Sequence, residues 1–97
     1  MIIKDLPLLE RPREKAFKYG FNKLSNNELL CIILEYGTKG KSVIELSYDI
    51  LNKFNGILGL KNVNLEELKS IKGISNAKAT KLLAVIELSK RLNDNYN

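Results

Sequence analysis

The sequence has no histidine, no tryptophan and a single cysteine. Each scarcity removes a class of function. Histidine is the commonest metal ligand and the commonest general base. A zinc centre of the usual kind needs four nitrogen or sulfur ligands, and Cys31 alone cannot supply them. Neither a metal nor another cofactor is expected. One thiol also rules out an internal disulfide, which fits a reducing compartment. No apolar run approaches the roughly 18 residues that a membrane helix requires. The opening Met1-Ile2-Ile3-Lys4-Asp5 lacks the basic-then-apolar pattern of a signal peptide. A cytoplasmic protein is the expectation.

What is present is helical. Ninety-seven residues suffice for one domain and not for two. A chain of this length buries only roughly 60–65% of its unfolded surface, so its core has little apolar material to spare. Strand alternation is weak, while apolar residues repeat at helical spacing nearly throughout. The prediction is an all-α, compact bundle of about five helices. The first starts near Pro12 and ends at Tyr19-Gly20. The second starts at Ser25, where Ser25 and Glu28 make a capping box. Its core stripe is Leu29, Leu30 and Ile33, its stop is Gly37, and Cys31 is read as buried. The third starts at Ser42 with Glu45 in the box. It lays Val43, Leu46, Ile50 and Phe54 on one face and ends at Asn55-Gly56. Gly56 to Leu60 suggests a further short turn. The fourth starts at Asn64 with Glu67, buries Leu65, Leu68 and Ile71, and stops at Lys72-Gly73. The fifth runs from Ser75 or Asn76 to about Leu92. Ala79, Leu82, Leu83 and Ile86 form its stripe, widened by Val85 and Leu88. Asp94 to Asn97 is polar and expected to fray.

Asn64–Leu92 reads as a short helix, a tight turn at Gly73 and a long helix, with apolar Ile74 tucked back at the tip. Small Ala77 and Ala79 would let the two helices approach. Ser25–Phe54 repeats the plan, so tandem, partly degenerate helix-hairpin-helix units are expected. Residues 1–97 then form a single helical domain. Residues 1–24 are its N-terminal arm and first helix, 25–54 the degenerate unit and 64–92 the second unit.

Free N–H groups at a helix start attract anions. The helices starting at Ser25, Ser42 and Asn64 each place a glutamate three residues in, which suits the helix dipole. The last helix places Lys78 there, at a cost of a few tenths to about 1 kcal/mol that a bound phosphate would reverse. Lys72 lies just before the same turn. A solvated surface lysine accounts for the same pattern. The loop Gly37-Thr38-Lys39-Gly40-Lys41-Ser42 is also basic and glycine-rich, but its spacing is not that of a P-loop. A plain solvated turn is the favoured reading there, and a second phosphate contact is the alternative. The net charge of +5 permits a polyanionic partner without requiring one.

At these residues the chain resembles a known family. Leu65–Leu92 looks like the helix-hairpin-helix motif of DNA repair and recombination proteins. Glu10-Arg11-Pro12-Arg13-Glu14-Lys15, then Leu24-Ser25 with Glu28-Leu29-Leu30, then Gly37-Thr38-Lys39-Gly40-Lys41-Ser42, resemble the N-terminal domain of the bacterial RadC family, also designated UPF0758. The resemblance runs from Leu6 to Leu92. It implies a sequence-independent DNA-binding module of a repair protein. Lys72, Gly73, Ile74, Ser75, Asn76 and Lys78 would hold backbone phosphates, with Lys39, Gly40 and Lys41 as a weaker second site. The motif usually reads glycine–hydrophobic–glycine, whereas this chain has Gly73-Ile74-Ser75. Full-length members resemble two-domain proteins with a C-terminal, metal-dependent JAB/MPN-type domain, and this chain looks like the N-terminal domain alone. A protein-interaction or regulatory domain that docks that second domain or another partner is the alternative. An enzyme is not expected: helix-hairpin-helix glycosylases need more chain and an aspartate beyond the hairpin, where only Asp94 stands.

Overall fold

The computed structural model describes residues 2–93. The polar tail from Asp94 to Asn97 lies outside them. Among the described residues there are five α-helices: α1 (Pro12–Tyr19), α2 (Asn26–Leu34), α3 (Val43–Lys53), α4 (Leu65–Lys69) and α5 (Asn76–Asn93). Short 3-10 turns fill Ile3–Asp5, Leu8–Glu10, Phe21–Lys23 and Ile57–Leu60. The last of these is the expected turn, and the other three have no sequence forecast. No strand forms among the described residues, where Thr38 and Lys41 make one isolated bridge. No helix there is long and apolar enough to cross a membrane.

Local chemistry sets the helix starts. Ser25 Oγ accepts the Glu28 N–H at 3.1 Å, and the Glu28 carboxylate accepts the Ser25 N–H at 2.9 Å. Ser42 with Glu45 and Asn64 with Glu67 repeat the reciprocal arrangement. Each cap satisfies N–H groups that a helix start leaves without partners, and is worth about 1 kcal/mol. The helix ends are less local. α2 stops at Leu34, three residues before Gly37, because Glu35 adopts φ 68°. α4 stops at Lys69, ahead of the expected Lys72.

The core gathers side chains from α2 to α5. Leu30, Cys31 and Leu34 of α2 meet Val43, Leu46 and Ile50 of α3, and α2 with α3 is the most extensive helix pair. Leu68, Ile71, Ile74, Ala79 and Leu82 close the cluster from the C-terminal half. Leu46, Ile50, Leu68 and Ala79 are wholly inaccessible to solvent. The buried face of α2 is thus turned slightly from the expected one, with Leu29 and Ile33 only half-buried. Leu65 is exposed, and so are Val85 and Leu88 of α5. A helix advances about 100° per residue, which carries Leu88 about 120° away from buried Leu82. Ala77 is exposed as well, so only Ala79 brings α5 close to its neighbours.

Ser47, the one buried polar side chain among the described residues, is fully used. Its Oγ donates to the Ile44 carbonyl at 2.8 Å and accepts from the Asn27 side chain. The Cys31 thiol lies 3.5 Å from the same oxygen, and burial pushes that thiol above its ordinary pKa. Cys31 is therefore a packed, protonated core residue. Glu28 has two duties: it closes the α2 cap and pairs with Lys15 of α1 at 3.1 Å. Burial pushes its carboxyl up, but the Ser25 N–H, the Lys15 ammonium and the Ser25 hydroxyl outweigh that and hold it below 4.5. Arg11 pins the N-terminal arm by donating to the carbonyls of Leu6 and Lys4.

Leu46→Ala is expected to cost about 2–5 kcal/mol, as a large-to-small change at a site with no access to solvent, measurable by denaturant unfolding. The depressed Glu28 carboxyl contributes stability at pH values above 4.5 and loses that contribution as pH falls below 4.5 through the folded-state value. Unfolding midpoints of the wild type and Glu28→Gln should therefore differ at neutral pH and converge in acid.

Candidate nucleic-acid interface

The turn between α4 and α5 is built around two buried isoleucines and a glycine. Ile71 and Ile74 enter the core on either side of Lys72-Gly73, and the Ile74 N–H donates to the Ile71 carbonyl at 3.1 Å. Gly73 has φ 100°, a conformation that L side chains rarely adopt. It also has no room for a side chain: a Cβ would lie 2.7 Å from Leu46 Cδ2 and 2.9 Å from Thr38 Cγ2. The sequence accounts for the first requirement. The second comes from α3 and the 37–42 loop, far away along the chain.

That contact brings the two basic loops side by side. The 37–42 loop closes on itself, with the Thr38 N–H donating to the Lys41 carbonyl at 2.8 Å and the Lys41 N–H to the Thr38 carbonyl at 3.0 Å. Gly37 lies against the Lys41 carbonyl so closely that a Cβ would collide with it. Close approach at the base of this loop is thus its role, in place of the expected helix stop. The Lys41 ammonium then donates to Asp49 of α3 at 2.6 Å and to the Lys72 carbonyl at 3.3 Å. The two loops, predicted as separate sites, are linked through one lysine.

The predicted residues therefore divide. Lys72, Ser75 and Asn76 are exposed, and Lys78 is half-buried. Among the described residues neither Lys72 nor Lys78 pairs with a carboxylate. Ser75 Oγ accepts the Lys78 N–H at 3.2 Å, which caps α5 and leaves the N–H groups of Asn76 and Ala77 directed out of the helix start. Gly73 and Ile74 are framework: one allows the close approach and the other anchors the turn. In the first loop Lys39 and Gly40 sit exposed at the tip, while the Lys41 charge is taken by Asp49. Asp5 and Glu45 line the recess beside Lys39, so negative charge flanks that loop. Among the described residues, the cations that no ion pair takes up at this turn are Lys72 and Lys78. Sequence reasoning passed over Thr38 and Asp49, since nothing in their local pattern marks partners at such separations.

Two helix pairs whose turns abut and which close over one apolar cluster define the class: a small all-α domain. The family model described as UPF0758 N-terminal matches residues 3–80, and the chain belongs to that family. Relatives described as UPF0758 proteins include one from Clostridium botulinum (strain Eklund 17B / Type B), 51% identical over 89 residues, and one from Clostridium acetobutylicum, 53% identical over 89 residues. Each of these matches covers 92% of this chain and 39% of the relative. A third, from Alkaliphilus oremlandii, is 48% identical over 93 residues, 95% of this chain and 40% of the relative. The chain thus spans about two fifths of the length of the curated relatives it matches. No solved structure matches it.

Gly73→Ala combines a strained φ with a contact that must be relieved, and is expected to destabilise the fold by roughly 1–3 kcal/mol in thermal or denaturant unfolding. An unchanged midpoint would show that the two loops are not held together at this point.

Proposed function

We propose that this domain is a sequence-independent DNA-binding module that grips backbone phosphates at the α4–α5 turn. In this reading α4 and α5 form a helix-hairpin-helix unit, and α2 and α3 its degenerate partner. The family would be the RadC family of repair proteins. The observation that carries the reading is the pairing of a rigid glycine turn with two lysines that no carboxylate neutralises, at the start of a long helix. Phosphate there would meet the outward N–H groups of Asn76 and Ala77, the Ser75 hydroxyl and the ammonium groups of Lys72 and Lys78. Contacts of this kind fix the position of a duplex and read no bases. Ser75, in place of a second glycine, trades close backbone approach for a hydroxyl that already caps the helix.

The chain's own part in this reading is binding, not catalysis, with no cofactor, in the cytoplasm. A metal-dependent JAB/MPN-type domain would lie in the remainder of the full-length protein.

Affinity for duplex DNA should be on the order of 10⁻⁴–10⁻⁶ M and fall with salt. The Lys72→Glu, Lys78→Glu double variant should abolish retardation of duplex DNA in a gel. Retardation equal to wild type would sink the site. The geometry further separates contact residues from Lys41, which supports the turn through Lys72 and Asp49. Lys72→Gln and Lys78→Gln should each lower the slope of log K against log salt by about 0.9. Lys41→Met should weaken binding several-fold and leave that slope unchanged. A reduced slope for Lys41→Met would make Lys41 a phosphate contact instead.

A further inference from the structure

Away from the turn, α5 forms one wall of an open apolar groove of about 630 Å³. Buried Leu30, Leu60 and Leu82 form its floor, and exposed Ile57, Leu58 and Val85 stand along its edges. Leu88 and Leu92, 61% and 81% exposed, extend the apolar surface of α5 around the helix. The α5 wall runs from Leu82 to Asn93, which is about 17 Å, or three helical turns. A trough of that length accepts the apolar face of another helix, with anchors spaced three and four residues apart. Exposed Ile57, Leu58 and Val85 beside a floor of buried leucines give this surface the form of a helix-binding trough.

The polar groups around the groove narrow the choice of occupant. Among the described residues, Lys61 and Lys90 line it with polar Asn26, Ser89 and Asn93, and no carboxylate does. Among the described residues neither lysine pairs with an acid. A second copy of the chain would bring the same two cations and a further net charge of +5. A helix that flanks its apolar stripe with carboxylates would neutralise them. The relatives point to where such a helix would come from. About three fifths of each relative lies outside the matched part, and the matched family model is the N-terminal one. A segment that follows the helix matching α5 in those proteins would leave from the wall of this groove. Tethering then gives it a high effective concentration there.

We infer that the groove bounded by Leu58 and Val85 is the docking site for an acidic amphipathic helix from the remainder of the full-length family protein. This rests on different residues from the phosphate site and stands independently of it.

The test is hydrogen exchange on the full-length Clostridium acetobutylicum relative, with glutamate placed at the positions matching Leu58 and Val85. Docking predicts at least ten-fold faster exchange in the stretches matching 57–61 and 82–93. It also predicts faster exchange in one carboxylate-bearing stretch outside the domain. As the folding control, Leu58→Glu, Val85→Glu in the present chain should leave the amides of Ala79 and Leu82 as protected as before, because both substituted side chains reach solvent. Identical exchange in wild-type and substituted full-length protein would show an open groove and overturn the inference. So would a partner stretch without carboxylates. Protection that depends on concentration and tracks a two-chain mass in sedimentation would assign the groove to a second copy and overturn it as well.

Discussion

The contact between the bare Cα of Gly73 and the side chains of Leu46 and Thr38 joins the two helix pairs. Leu46, in the first half of α3, has no exposure to solvent, so the turn that rests on it inherits its rigidity. Lys41 repeats the link in polar form, from the first loop to the Lys72 carbonyl. Ile71 and Ile74 then fasten the turn from within. The direction in which α5 leaves, and hence where its first N–H groups point, follows from packing between residues more than twenty-five positions apart.

The division of labour among the lysines comes from the same packing. Composition gives all of them one charge, but the fold gives them different work. Lys41 is consumed by Asp49, Lys15 by Glu28 and Lys81 by Glu35. The last of these is an exposed pair that solvent screens. Lys72 and Lys78 are left without carboxylates near the helix start, and Lys61 and Lys90 beside an apolar trough. Two pairs of lysines without carboxylate partners thus stand in different places, one before and at the start of α5 and one beside the groove along its later turns, and α5 itself is about 27 Å long.

What could be read in the sequence was what local chemistry decides. Three capping boxes need only a side chain and a backbone group three residues apart, and Ser25, Ser42 and Asn64 all cap as their spacing indicates. The burial of Cys31 and Leu68 follows from helical periodicity, and that of Ile74 from its place as an apolar residue at the tip of a tight turn. The misses are long-range. The positive φ of Glu35 falls on a residue type that gives no sign of it. The outward turn of Val85 and Leu88 depends on which neighbour α5 meets, and an apolar letter is identical on either face. The use of Lys41 by Asp49 could not be seen because a lysine in a glycine-rich loop looks the same whether its charge is spent or free. The candidate site was legible as a place, while the roles within it were set by tertiary contacts.

Cys31 gives the fold one more property. Its sulfur is enclosed between α2 and α3, 3.8 Å from the Val43 carbonyl, and burial keeps it in the unreactive thiol form. A thiol reagent meets it readily only when the packing around it opens. The chain therefore carries its own clock for the opening of the core, and the pace of labelling follows the packing on which both loops rest.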